Sequence, residues 1–222
     1  VSALRTFMKG LEVIGNNIAN INTTGFKGSQ AKFADSFNNV LQRSSPSGTA
    51  SGNTPFTGVG TGVTLTGITT NFTQGSLVST GKTTDLGVSG NGFFHVKNPA
   101  DGQVYATRAG DFRWDDRGFL VTAQGNRVQG LTGTGLATVG DIKFATPPTG
   151  TQLQSVSIDR TGSVIEFYSD GTSATTNRVL LQNFNDPSAL TKEGNNLYSG
   201  LLAAGPVGAA AGSAALVAGT VN

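Results

Sequence analysis

Leu4-Arg5-Thr6-Phe7-Met8-Lys9-Gly10-Leu11-Glu12-Val13-Ile14-Gly15-Asn16-Asn17-Ile18-Ala19-Asn20-Ile21 sets Leu4, Phe7, Leu11, Ile14, Ile18 and Ile21 at successive intervals of 3, 4, 3, 4 and 3 residues. That is the a/d rhythm of a heptad, and it predicts one amphipathic helix over the first 22 residues. Val1 and Met8 widen the apolar stripe, while Glu12, Asn16, Asn17, Asn20 and Asn22 fall on the other faces. With a rise of about 1.5 Å per residue, such a helix is about 30 Å long. Nothing nearby in the sequence covers so long a stripe, so it requires a partner helix. Downstream, Thr23-Thr24-Gly25-Phe26 reads as the stop: Gly25 in a left-handed C′ position, Phe26 at C″ against Ile21, and Lys27 near the negative end of the helix dipole.

The remainder has a different composition. The chain has 222 residues, 32 of them glycine, and only 13% are charged, which favours short strands joined by tight turns. Between Val63 and Leu197, turn sequences at Ala100-Asp101-Gly102, Asp115-Asp116-Arg117-Gly118, Arg160-Thr161-Gly162 and Ser169-Asp170-Gly171 separate β-branched and aromatic runs. Phe93–Val96 is expected to pair with Val104–Thr107, Phe112–Trp114 with Phe119–Val121, and Ser163–Tyr168 with Arg178–Leu181. The fold class is therefore mainly β: an antiparallel domain preceded by one heptad-patterned helix. Ser29 to Phe37 is a short amphipathic piece, and Asn38 to Gly60, rich in Ser, Gly, Thr and Asn, reads as a mobile loop or linker. The domain boundaries follow as helix 1–28, linker and insertion 29–62, β domain 63–199, and a flexible connector 200–222 toward a missing C-terminal element.

Composition also removes functions. There is no cysteine and one histidine, His95, so disulfide scaffolds, thiolate chemistry and multi-histidine zinc sites are excluded. Net charge is +2 from 15 basic and 13 acidic residues without a basic run, which gives no footprint for nucleic acid. The apolar C-terminal stretch is broken by Gly205, Pro206, Gly208, Gly212 and Gly219, against a membrane helix. Val1 is not a natural start, so residues are expected to precede it. Gly60-Thr61-Gly62 and Gly90-Asn91-Gly92 lack the strand-before, helix-after setting of a phosphate loop and read as turns. Asp115 and Asp116 read as solvated turn residues, His95 as a surface or half-buried strand residue, and Phe112 with Trp114 as a core or edge pair. No catalytic, cofactor-binding or metal-ligating residue is expected.

Leu11 through Lys27, with its Asn16, Asn17 and Asn20 and the Thr23-Thr24-Gly25-Phe26 that follows, resembles the N-terminal signature of bacterial flagellar rod and hook proteins. The resemblance continues through Phe33-Ala34-Asp35, Phe72-Thr73-Gln74-Gly75, Gly90-Asn91-Gly92-Phe93-Phe94, Tyr105 to Phe112, Gly118 to Val121 and Gly194 to Tyr198, covering residues 1–199. It implies a non-enzymatic axial subunit that assembles with copies of itself into a helical tube transmitting motor torque. The implied partners are neighbouring rod, hook or junction proteins, with export by the flagellar apparatus without a cleaved signal and a location in the basal body or hook. It further implies that the helix of residues 1–28 belongs to an inner layer of paired N- and C-terminal helices. Within the family the hook or hook-basal-body type is the first expectation, on Phe33 to Phe37 and the region from Ile158 to Phe184, and the distal rod protein is the alternative, on the length of the insertion from Phe33 to Val63 and the single β domain. A secreted β-rich adhesin or carbohydrate-binding module shares the Gly/Thr content and the hairpins, but not the Asn-rich heptad helix.

Overall fold

A computed structural model describes residues 2–46, 52–133, 135–136 and 138–207. The chain divides into two compact units, residues 1–22 with 27–71, and residues 23–26 with 72–222. The first unit holds α1 (Ser2–Ala19), β1 (Ser29–Asp35), β2 (Asn38–Gln42), β3 (Thr57–Gly60) and β4 (Val63–Thr70). β1 pairs antiparallel with β4, from Ser29 opposite Thr70 to Asp35 opposite Val63, and β2 pairs with β3 from Asn38 opposite Gly60. Ser36 donates its N–H to the Gly62 carbonyl and Thr61 donates to that of Phe37, so the two ladders run on as one two-stranded ribbon. An antiparallel bridge between Ser45 and Thr54 extends the ribbon toward its tip.

Two sequence expectations are corrected here. Asn38 to Gly60 is not simply a loop: its flanks are the paired strands β2 and β3, and the residues at its centre, 47–51, lie outside the described ones. Val63–Thr70 is the partner of β1 in the first unit rather than the start of the β domain. The distal strands escaped notice because every residue of β2 and β3 is exposed. With neither face buried, no alternation of apolar and polar residues is imposed on the sequence.

The second unit is a twelve-stranded antiparallel sheet system. Its strands are β5 (Phe93–Lys97), β6 (Val104–Thr107), β7 (Arg113–Trp114), β8 (Leu120–Val121), β9 (Arg127–Thr132), β10 (Thr138–Asp141), β11 (Leu153–Ile158), β12 (Ser163–Tyr168), β13 (Ser173–Val179), β14 (Leu181–Gln182), β15 (Thr191–Gly194) and β16 (Leu197–Ser199). All three anticipated hairpins form, as β5 with β6, β7 with β8, and β12 with β13. The third differs in extent: β13 begins at Ser173, and Leu181 leaves it to pair with Phe94 in β5.

β5 sits between two cores, which is why Phe93-Phe94-His95-Val96 is buried throughout. Strand alternation sends Phe94 and Val96 to one side, with Phe112, Leu120, Val128, Ile142, Val164 and Val179. Phe94 meets Phe112 edge-on at 5.0 Å between ring centres, and Trp114 lies 4.1 Å from Phe144, so the aromatic pair is core-associated as its spacing suggested. The other side receives Phe93, which joins Tyr198, Phe184, Leu190, Ala106 and Ala204. Ala204 arrives on a strap of residues 200–207, fastened by the Asn185 N–H on the Gly205 carbonyl, the Asp186 N–H on Ala204 and the Val207 N–H on Asn183. The first part of the expected connector is therefore packed structure, and residues 208–222 lie outside the described ones.

Two buried polar groups mark this unit. Glu166 is fully buried, because period-2 alternation places it in the inward row with Val164 and Tyr168. Its carboxylate accepts from the Tyr168 hydroxyl at 2.7 Å, the Thr176 hydroxyl at 2.6 Å and the Ala145 N–H at 3.1 Å. His95 is 3% exposed rather than at the surface, and its Nε2 has no hydrogen-bond partner among the described residues. Burial disfavours the charged imidazolium and brings its pKa down from 6.5 to about 4.

Because the folded protein holds His95 neutral, its contribution to stability is complete above pH 6.5 and is lost as pH falls toward 4. A shift of this size corresponds to about 3 kcal/mol. The stability difference between the wild type and His95→Leu, measured by denaturant titration across pH 4 to 7.5, should be flat at the upper end and move against the wild type by about that amount below. Parallel curves would show that the imidazole is solvated in the fold.

Candidate functional site

α1 carries two stripes with the same heptad rhythm, one residue apart. Ala3, Thr6, Gly10, Val13, Asn17 and Asn20 are half-buried, whereas Leu4, Phe7, Leu11, Ile14, Ile18 and Ile21 are 53–79% exposed. One residue of helix turns the face by about 100°, so the small and polar stripe docks on the ribbon and the apolar stripe looks elsewhere. The contacts explain the choice. At Gly10 the Phe33 ring of β1 closes in so far that a Cβ would stand 2.9 Å from its Cζ. Thr6 donates its hydroxyl to the Val63 carbonyl at 3.3 Å. Asn17 imitates a strand, its side-chain amide donating to the Ser29 carbonyl at 2.7 Å while its oxygen accepts the Ser29 N–H at 2.9 Å. Phe7, the one aromatic residue of the apolar stripe, also packs on the ribbon, its ring centre 5.7 Å from that of Phe33.

The docking stripe has its own sequence signal: the 3,4 spacing of Ala3, Thr6, Gly10, Val13, Asn17 and Asn20 is as regular as that of the apolar seam. A hydrophobicity pattern does not reveal it, because small and amide side chains carry little apolar weight. The signature asparagines now have local roles. Asn17 makes the ribbon clamp, and Asn20 donates both its backbone N–H, at 3.2 Å, and its side-chain amide, at 2.9 Å, to the Asn16 carbonyl at the end of the helix.

The helix cap expected at Gly25 and Phe26 is corrected by the structure. α1 ends at Ala19, six residues earlier, and Thr23–Phe26 belongs to the second unit. Gly25 is left-handed as anticipated, with φ 69°, but in a turn closed by the Phe26 N–H on the Thr23 carbonyl. A Cβ there would stand 2.5 Å from the Ala109 nitrogen and 2.6 Å from the Arg108 carbonyl carbon. The Asn196 side chain holds the Thr24 carbonyl at 2.8 Å, and the Lys192 ammonium lies 4.2 Å from the centre of the Phe26 ring. Three stretches of the sequence signature, at 23–26, 107–112 and 194–198, thus converge in one place within this unit.

Of the residues weighed for chemistry, Asp115 turns its carboxylate back on the Arg117 and Phe119 N–H groups, a hairpin-turn role, and Asp116 is exposed beside it. Among the described residues, no three His, Cys, Asp or Glu side chains converge to hold a metal, and no helix is long and apolar enough to cross a membrane.

Gly25→Ala combines left-handed strain with a backbone collision, and should cost the second unit about 2–4 kcal/mol. The sole tryptophan, Trp114, lies in that unit and reports its unfolding by fluorescence. A helix cap predicts the opposite pattern, with reduced helical circular dichroism and an unchanged tryptophan transition.

Comparison with known proteins finds relatives over most of the chain. Residues 1–27 match the flagella basal body rod protein family, and residues 87–166 the D1 domain of the flagellar hook protein FlgE/F/G. The chain is 35% identical to the flagellar basal-body rod protein FlgG of Bacillus subtilis over 210 residues, covering 95% of this chain and 75% of that protein. With FlgG of Agrobacterium fabrum it is 32% identical over 88% of this chain and 70% of that one. With the flagellar hook protein FlgE of Escherichia coli it is 37% identical over 72% of this chain, but spans only 34% of the hook protein's length. The convergence of the three signature segments and the extent of these matches lead to one conclusion: the chain belongs to the family of flagellar hook and basal-body rod proteins.

Proposed function

We propose that this protein is a structural subunit of the flagellar axis that joins a helical tube through the Leu4, Phe7, Leu11, Ile14, Ile18 and Ile21 seam. The observation carrying the proposal is that the seam stays more than half exposed after α1 has docked on the ribbon by its other stripe. Five of these large apolar side chains share one face of α1, with Ile21 in the turn just after it, and such a row has the pattern by which helices bury each other, with knobs entering holes along an a/d line. Contacts between different surfaces of identical subunits build a filament when the rotation between them does not close, which is the geometry a tube needs. Copies of the same chain, adjoining rod, hook or junction proteins, and a C-terminal helix of the family type are the partners that fit. Export through the flagellar apparatus without a cleaved signal belongs to the same proposal. Within the family the rod-type reading is favoured, because the match to the B. subtilis rod protein extends over 95% of this chain, against 72% for the E. coli hook protein.

The distal ribbon has a matching role. Phe37, Leu41, Phe56 and Val59 are each more than half exposed on a two-stranded structure, and an isolated ribbon of this kind is marginal in water. Contacts with neighbouring subunits would order it and restrict sliding between them, setting the stiffness of the tube.

Leu11→Asp or Ile18→Asp should abolish incorporation into the axis while leaving the tryptophan-reported unfolding of the second unit unchanged. An unpaired carboxylate buried in the seam costs about 3 kcal/mol or more, beyond a hundredfold in association. Normal motility and normal incorporation of either variant would contradict the assignment of the seam. Removing residues 38–60 should leave that same unfolding transition in place and lower the persistence length of assembled tubes seen by electron microscopy. Tubes as stiff as the parent would make the distal ribbon an inert extension.

A further inference from the structure

Where the three signature segments converge in the second unit they leave a cleft of about 190 Å³, lined by Thr24, Ala109, Asp111, Gln124, Asn195 and Leu197 among others. We infer that this cleft is a receptor for one long basic side chain, an arginine or lysine presented by another copy of the chain. Its size suits a single side chain, since pockets for free small molecules usually run to about 300–1,000 Å³. Its lining fits the two halves of such a group. Ala109 and Leu197 offer apolar surface to a methylene stem, and Asp111, Gln124 and Asn195 offer acceptors to its charged head.

The charge at the lip is unneutralised. The Asp111 carboxylate is exposed and forms no ion pair or hydrogen bond among the described residues. It also stands directly across an antiparallel bridge from Asp85, whose own carboxylate, among the described residues, accepts only the neutral Thr80 hydroxyl, at 2.7 Å. Like charges facing each other across strands are destabilising unless a cation joins them. The lining holds no aromatic platform for a sugar and no cation for an anionic ligand.

The cleft is also built rather than incidental. Asn195 and Asn196 both hold left-handed backbones, φ 49° and 58°. The Asn196 carbonyl accepts the Thr107 hydroxyl at 2.9 Å, and that hydroxyl in turn accepts the Ala109 N–H at 3.1 Å. A cleft held in shape by its own hydrogen bonds loses little entropy when it is filled. Donors are at hand on the same molecule: Arg113, Arg117 and Arg160 are exposed and form no ion pair among the described residues. That the donor is another copy rests on the assembly proposed above; the chemistry of the cleft does not.

The test is a titration of the isotope-labelled chain with Nα-acetyl-L-arginine amide at low salt, followed by amide NMR. Saturable shifts at Thr24, Gln124 and Asn195 are expected, weakened about fivefold by Asp111→Asn and by physiological salt, as for a partly exposed ion pair. The spectrum of Asp111→Asn itself reports whether the variant is folded, and Gln124→Ala serves as the second variant if it is not. Absence of saturable shifts, binding by the folded variant as tight as by the parent chain, or shifts produced instead by an N-acetylglucosamine oligomer would overturn the inference. Such a failure leaves the seam of α1 untouched, because Leu11→Asp and Ile18→Asp are read out by incorporation and not by this probe.

Discussion

The structure depends on the way α1 divides its surface. A helix has room for a docking face and a second face roughly 100° away, and here both are written in the same heptad rhythm one residue out of step. The docking face is made of small and amide side chains, which let the ribbon come close and hold it by hydrogen bonds rather than by apolar bulk. Gly10 admits the Phe33 ring, Asn17 takes both backbone groups of Ser29, and Thr6 reaches Val63. Had the large residues docked instead, the helix would be satisfied within its own chain and would have nothing left to offer. Sparing them leaves a row of large apolar side chains exposed, the surface proposed above to meet neighbouring subunits.

The second unit shows the complementary strategy. It is self-sufficient, with apolar cores on both sides of β5 and a buried Glu166 whose three hydrogen bonds tie β12, β13 and the chain at Ala145 together. Into this unit the chain inserts four residues, Thr23–Phe26, that are flanked in sequence by the first. Gly25 is required there by close packing against Ala109, not by the end of a helix. The signature segment therefore does two separate jobs on either side of Asn22, clamping the ribbon to the helix before it and seating the chain in the β unit after it.

The apolar seam and the three hairpins were legible in the sequence because each has a buried or potentially buried face, and burial imposes a period. Leu4 to Ile21 shows 3.5, and Val164, Glu166 and Tyr168 show 2. The ribbon from Asn38 to Gly60 was not legible, since both its faces are exposed and Asn-Asn-Val-Leu-Gln opposite Thr-Gly-Val-Gly carries no period at all. His95 was misplaced for a related reason. A strand covered on both sides has no polar face to contrast with, and one polar residue within Phe-Phe-His-Val gives no sign of which side is wet. Gly25 was read in its correct backbone conformation and given the wrong partner, because a left-handed glycine after a helix is far more often a cap than a point of contact with a distant strand.

The central claim, that α1 keeps its large apolar stripe for neighbours in the assembled axis, is tested most directly by accessibility. The chain has no cysteine, so single cysteines can be placed without background. Leu11→Cys and Ile14→Cys should react freely with a maleimide in the dispersed subunit and become protected in assembled flagella, while Glu12→Cys remains reactive in both. Equal reactivity of the Leu11 and Ile14 positions before and after assembly would contradict the account.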